Sequence, residues 1–174
     1  VVMLDKSGGP ISGAKNWSSG FMPAVYQGTV LRPSGEPILD LDIPEGMSAQ
    51  EQRRILDALK EQNEAHLSPR HDDTDLQARI HSYELAYRMQ MAVPDAMDLT
   101  RESQATLEEY GASPGNPSLA NSCLLARRLV ERGVRFVQLY DWGWDGHGTG
   151  PNDDLLTQLP KKCREMDQPV AALI

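Results

Sequence analysis

The sequence predicts an α/β fold, a largely parallel sheet flanked by helices. Three observations carry that prediction. An amphipathic segment from Leu119 to Arg132 passes through Gly133 directly into the apolar run Val134–Tyr140. A polar, glycine-rich loop and another helical segment follow it. Two stretches in the middle of the chain repeat apolar residues at spacings of three and four. Helix, strand, loop, helix is the repeating unit of α/β proteins, and such units build parallel sheets. A chain of 174 residues is long enough for one domain with a core.

Taken in order, Val1–Leu4 reads as a strand already under way. Residues 5–47 form a loop-rich segment with turn clusters at Ser7-Gly8-Gly9-Pro10 and Arg32-Pro33-Ser34-Gly35. Short strands are expected over Tyr26–Leu31 and Glu36–Ile43, and a structured loop region of this length often covers an active site. Residues 48–111 are the helical segment. Ser48 and Glu51 make a capping box. Ile55, Leu56 and Leu59 give the first helix an apolar stripe, and it should end near His66, before Pro69. Asp75 is the expected cap of a second helix with Leu76, Ile80, Tyr83, Tyr87 and Met91 on one face and Pro94 at its end. Thr100 and Ser103 open a weaker helix that Gly111 terminates.

Residues 117–174 are the helix–strand–loop–helix unit. Ser118 caps a helix whose apolar face is Leu119, Cys123, Ala126, Leu129 and Val130. Arg127, Arg128 and Arg132 lie towards its C-terminus, where the helix dipole favours cations. Val134–Tyr140 is the expected interior parallel strand. The last helix starts near Asp153 or Asp154 and runs into Val170–Ile174, an apolar end without a cap. The whole chain, 1–174, reads as part of a single domain truncated at both ends, with Val1–Leu4 and Val170–Ile174 lacking partners.

Composition narrows the function classes. The net charge of −8 argues against nucleic acid, whose phosphates demand clustered Lys and Arg. No stretch approaches the roughly 20 apolar residues of a membrane helix. Cys123 and Cys163 form no Cys-x-x-Cys pair, so a zinc knuckle is not expected; buried free thiols are the default reading, and a disulfide is open only to an exported protein.

Ligands of open α/β sheets bind at the carboxyl ends of the strands. Here that position is the loop Asp141–Gly150. Asp141, Asp145 and His147 offer two carboxylates and an imidazole, donors that suit a divalent metal such as zinc, manganese or iron. Trp142 and Trp144 are able to wall a pocket. The plain alternative is a turn, since Asp and Gly are ordinary turn residues. Lys15, Asn16 and Trp17 group a cation and an amide on a flexible loop, suited to an anionic ligand, although a structural turn is the commoner meaning. His66 reads as a dipole contact, His71 with Asp72 and Asp73 as a solvated turn, and His81 as a helix-surface residue. The chain contains no nucleophile elbow, phosphate-binding loop or dinucleotide fingerprint.

Several stretches resemble the sulfatase-like bacterial family known as domain of unknown function 1501. They are Gly13–Trp17 with Gly20–Thr29, Ser82–Gln90, Cys123–Gln138, the Trp144-Asp145-Gly146-His147 pattern, and Cys163–Leu173. The resemblance covers nearly the whole chain. It implies a fold similar to alkaline phosphatases and sulfatases, a longer full-length protein and export to the periplasm or cell exterior. It also implies a divalent metal ion (zinc, calcium, magnesium or manganese) held by Asp141 or Asp145 with His147. One departure stands out: the superfamily's usual pair is separated by three residues, whereas Asp145 and His147 are separated by one and Asp141 and His147 by five. The nucleophile and the remaining ligands would lie outside this chain. The implied function is metal-dependent hydrolysis of phosphate or sulfate esters on a small molecule or glycan, with Lys15, Asn16, Trp17 and Trp144 at the substrate. The competing class is a non-catalytic exported protein that keeps the fold and binds a glycan or protein partner.

Overall fold

The computed structural model describes residues 1–4, 8–32, 38, 42–70, 73–150 and 153–174. Ser7 of the first turn cluster, the Pro33–Gly35 turn, most of the Glu36–Ile43 strand, His71 and Asp72 lie outside the described residues. The architecture is α/β. Among the described residues, three short strands and five α-helices are accompanied by several 3-10 turns.

The strands are β1 (Val2–Met3), β2 (Val30–Leu31) and β3 (Gln138–Leu139). They form one parallel sheet in the order β2-β1-β3. Val2 stands opposite Val30 and Gln138, and Met3 opposite Leu31 and Leu139. The expectation that Val1–Leu4 lacks partners is therefore corrected: β1 is the central strand, with Val2 and Met3 both buried. The expected interior strand over Val134–Tyr140 is also corrected. Its parallel direction holds, but only Gln138 and Leu139 pair, at the edge of the three-stranded sheet. Val134 and Val137 pack on the core, but Arg135 and Phe136 between them face solvent, so the stretch before Gln138 lacks the alternating burial of a longer strand. Likewise, Tyr26–Leu31 is strand only at Val30–Leu31, because Ala24–Tyr26 winds into a 3-10 turn.

The helices are α1 (Ala49–Leu67), α2 (Thr74–Met97), α3 (Gln104–Tyr110), α4 (Leu119–Glu131) and α5 (Gln158–Leu173). α4 is the centre of the molecule and lies against α2, α3, α5 and β3. Cys123, Leu124, Leu125 and Leu129 of α4 join Met3, Leu31, Ala96, Leu99 and Tyr110 in the core. Val130, expected on the buried face, is exposed.

The caps expected at Ser48 and Ser118 are in place, each side chain accepting a backbone N–H in the first turn, and of Thr100 and Ser103 it is Ser103 that caps α3, Thr100 lying in the 3-10 turn before it. At Ser48 the reciprocal bond from Glu51 completes the box. Gly111 ends α3 at φ +64°, a left-handed conformation that glycine adopts without a Cβ penalty. Four local expectations change. Asp73, not Asp75, caps α2 through Leu76 N–H. Pro94 lies inside the last turns of α2 rather than ending it. That turn is held from outside: Arg128 donates to the carbonyls of Asp95 and Ala96, both at 2.8 Å. The α1 stripe buries nothing fully; Ile55 and Leu59 are exposed, and Arg53 ties the helix to α2 through Glu84. Finally, α5 begins at Gln158, because the Asp153 and Asp154 side chains close turns before it. At the far end of α5, Pro169 is buried and Val170 and Ala172 pack on the core, which corrects the view of that end as partnerless; Ile174 is fully exposed.

An ionic cluster joins α4 to the segment before α3. Arg128 is buried and pairs with Glu102, which also accepts from Arg127 at 2.8 Å. Burial pushes the Glu102 carboxyl up, but the hydrogen bonds from Arg128 and Arg127 outweigh it and hold its pKa below the ordinary value. Arg127, Arg128 and Arg132 are thus more than dipole partners of their own helix. Asn121, also buried, bonds Ser113 N–H, Ser113 O and Asn116 O, fastening the loop before α4 to that helix.

Candidate functional site

The loop 141–150 leaves the carboxyl end of β3, as expected of a ligand-binding loop in a parallel sheet. Its first residue, Asp141, points to α5. Lys162 Nζ lies 3.0 Å from Asp141 Oδ1 and 2.9 Å from Oδ2. The two side chains are only 9% and 15% exposed. Trp144 Nε1–H donates to the same carboxylate at 2.6 Å, and the Lys162 ammonium stands 5.8 Å from the Trp144 ring centroid. Burial would lower the pKa of Lys162, but Asp141 and then Glu165 outweigh it, so its pKa is raised. Gln158 adds a bond to Gly143 O at 3.2 Å. Gly143 sits at φ +91°, which lets the chain turn here with α5 close by.

The second half of the loop is closed by Asp153. Its carboxylate accepts from His147 N–H at 3.0 Å, Thr149 N–H at 3.2 Å and Thr149 Oγ1 at 2.6 Å. The Thr149 hydroxyl, followed by the two backbone N–H groups, holds the pKa of Asp153 below its usual range. Its carbonyl accepts from Gly148 N–H at 2.8 Å. A Cβ at Gly146 would stand 3.2 Å from that carbonyl oxygen, so the residue between Asp145 and His147 is fitted closely.

Between these two anchors, Asp145 and His147 face solvent. His147 Nε2 lies 3.6 Å from Asp145 Oδ1, with the side chains 64% and 92% exposed. His147 Nδ1 is 3.2 Å from the Asp145 carbonyl oxygen. The structure thus brings Asp145 and His147 together and engages Asp141 with Lys162 and Trp144. Among the described residues, no group of three or more His, Cys, Asp and Glu side chains is gathered as a metal would need. Donors about 2.1 Å from a tetrahedral zinc ion lie roughly 3.4 Å apart, so the Asp145–His147 spacing fits one edge of such a site. The pair is a fitting half-site, and Asp141, with both oxygens occupied by Lys162, does not fit as its third member.

Lys15, Asn16 and Trp17 lie on a 3-10 turn over Gly13–Trp17. Asn16 donates to Gly13 O at 2.9 Å, a bond within the turn, and Lys15 is exposed. Trp17 is the member that reaches the loop's origin: its ring meets Tyr140, the residue before Asp141, edge-on at 6.1 Å. Trp144 and Trp142 are 43% and 48% exposed.

Lys162, Gln158 and Asp153 are the residues that the sequence reading missed. The one available signal was Lys162 itself, a lysine seven residues before Pro169 and so on the same inward face of α5. Two cavities differ in their relation to the site. One of about 260 Å3 is lined by Asp141, Lys162, Tyr110 and Gln168 among others. A larger one, about 650 Å3, lies between Val25–Thr29 and α2 and includes no residue of the loop. Cys123 is buried, its thiol pushed up to about 11 by burial and by the nearby Asp141 charge, while Cys163 is exposed; the two are not bonded. No helix among the described residues is long and apolar enough to cross a membrane.

The family model described as "Protein of unknown function (DUF1501)" matches residues 1–174. No curated protein and no solved structure matches the chain.

Proposed function

This chain belongs to the DUF1501 family of proteins of unknown function, and we propose that it forms part of a metal-dependent hydrolase of phosphate or sulfate esters. The supporting observation is the pair Asp145–His147, 3.6 Å apart and solvent-facing, on a loop at the carboxyl end of a parallel strand. The separation of Asp145 Oδ1 and His147 Nε2 fits two ligands of one metal ion. Asp145 and His147 would hold the divalent ion, and the bound ion would polarise the ester and supply charge stabilisation. Asp141 serves as an anchor in this reading, not as a ligand. The remaining ligands and the hydroxyl nucleophile come from outside the loop, on an alkaline-phosphatase/sulfatase-like fold, in a protein exported from the cytoplasm.

The test is metal content in the full-length protein beside its Asp145→Asn and His147→Ala variants. Each variant should lose most of the bound metal. Unchanged metal in both, or a parent purified and reconstituted without metal, overturns the reading. A second reading, an exported binding protein without catalysis, draws on the two half-exposed indoles, Trp142 and Trp144. It is favoured by a metal-free parent that binds a glycan and loses that binding on Trp142→Ala.

A further inference from the structure

We infer that Lys162 is a positioning residue for the loop that carries Asp145 and His147, acting through Asp141 and Trp144. The inference rests on the metal reading for its functional consequence and on geometry alone for the anchoring. Lys162 Nζ meets both oxygens of Asp141, and the Trp144 indole caps the pair, donating its N–H to Asp141 and presenting its ring to the ammonium. One turn earlier on α5, Gln158 donates to Gly143 O. Residues 141, 143 and 144 are thereby fastened to one face of α5, and Asp145 is the next residue along. Asp153 fastens the other side at His147 N–H and Thr149. The exposed pair hangs between two fixed points.

A buried ammonium is an expensive way to hold a loop in place if stability is the only gain. Replacing a buried ion pair by packed apolar side chains is often neutral or stabilising. An apolar residue at 162 would not, however, fix the direction of the Asp141 carboxylate or the rotamer of Trp144. Ligand groups have to be held within about 0.5 Å of the productive geometry, and the residues that support them influence metal affinity by about 10–100-fold. Lys162 is so placed through two intervening residues, and its partners among the described residues are Asp141, Trp144 and Glu165.

The experiment uses the full-length protein and Zn2+ as the probe. Zn2+ affinity is measured by competition with a chromophoric chelator. The Trp144 indole N–H resonance, assigned with Trp144→Phe, is followed in metal-free protein. Lys162→Met should weaken Zn2+ binding by about 10–100-fold and shift the Trp144 resonance. Lys162→Arg should restore both, because the cavity of about 260 Å3 beside the pair has room for a guanidinium that meets both carboxylate oxygens. The double variant Asp141→Leu/Lys162→Met leaves no unpaired buried charge, so it should fold and still show the loss. Unchanged Zn2+ affinity in Lys162→Met with zinc bound through His147 in the parent overturns this inference and leaves the metal reading standing. A loss that a folded Lys162→Arg protein fails to restore also overturns it. A parent that binds no Zn2+, with a Trp144 resonance that still moves in Lys162→Met, overturns the metal reading and supports the anchoring.

Discussion

Trp17 stands edge-on to Tyr140, with ring centroids 6.1 Å apart and planes at 62°. This contact ties the loop that follows β1 to the end of β3, where the candidate site begins. The Trp17 backbone also accepts from Gly28 N–H at 2.9 Å, and a Cβ at Gly28 would stand 2.9 Å from Val2 and 3.1 Å from the Trp17 Cβ. Trp17→Ala should therefore cost about 2–3 kcal/mol, and Trp17→Phe less than about 1.5 kcal/mol. Gly28→Ala should cost about 1–3 kcal/mol by overpacking. Urea unfolding of the three variants checks the ranking, and an undisturbed Gly28→Ala would contradict the close approach.

Glu102 is the shared partner of Arg127 and Arg128, and the Arg128 side chain is 6% exposed. Glu102→Ala leaves a buried guanidinium without its carboxylate, and should cost about 3–5 kcal/mol. The pH dependence has a defined sign. The folded-state pKa of Glu102 is held below its ordinary value of 4.5. Its contribution is therefore fully present above 4.5 and is lost as pH falls through the depressed folded value. Parent protein should lose urea stability over that acid window, and Glu102→Gln should lose less of it.

Gly111 ends α3 beside Gln168 of α5, whose side-chain amide donates to Glu108 O at 2.7 Å and Glu109 O at 3.1 Å. The two residues together finish one helix and dock it on another. Gly111→Ala would force a left-handed alanine and place its Cβ 3.0 Å from Gln168 Oε1. The expected cost is about 1–2 kcal/mol. Gln168→Ala, which frees space but leaves two carbonyls without that donor, should be comparably destabilising at about 1 kcal/mol. Thermal unfolding of both variants and their double measures the coupling; strict additivity would contradict a shared cap.

The two thiols should differ sharply in reactivity. Cys163 is exposed, while Cys123 is buried with its thiol pushed up to about 11. The thiolate is the reactive species, so an alkylating reagent at neutral pH should label Cys163 first. Mass spectrometry should show one label in native protein and two in urea. Fast native labelling at Cys123 would contradict the packing of α4.

Local chemistry was legible where a residue's neighbours in sequence are also its partners in space. Ser48 with Glu51, Ser118 and Gly111 were identified as caps because a cap is built within four residues. The parallel direction of β3 followed from the helix before it and the loop after it. The lengths of the strands were not legible, because Phe136 is apolar in sequence and exposed in space. Nor was the role of Pro94, since the arginine that holds its turn is Arg128, on another helix. The candidate loop was placed correctly at the end of β3, and Asp145 with His147 stand together. What sequence spacing did not distinguish was Asp141 from Asp145. Both are carboxylates near the same histidine, and they differ in their partners in space: Lys162 on α5 and the Trp144 indole hold Asp141, while Asp145 faces solvent.

β1 occupies the middle of the sheet, yet one of its neighbours, β3, is supplied by residues 138–139. A growing chain emerging at about 5–20 residues per second would wait on the order of ten seconds between making Met3 and making Leu139. Through that interval β1 has β2 on one side and lacks β3 on the other. Pairing of β1 on this side thus waits until α4 and β3 have been made, and loop closure over so long a separation predisposes to slow folding. An edge held open in this way is a template for pairing with another chain, so the interval before β3 is made is the one in which β1 is most vulnerable to aggregation.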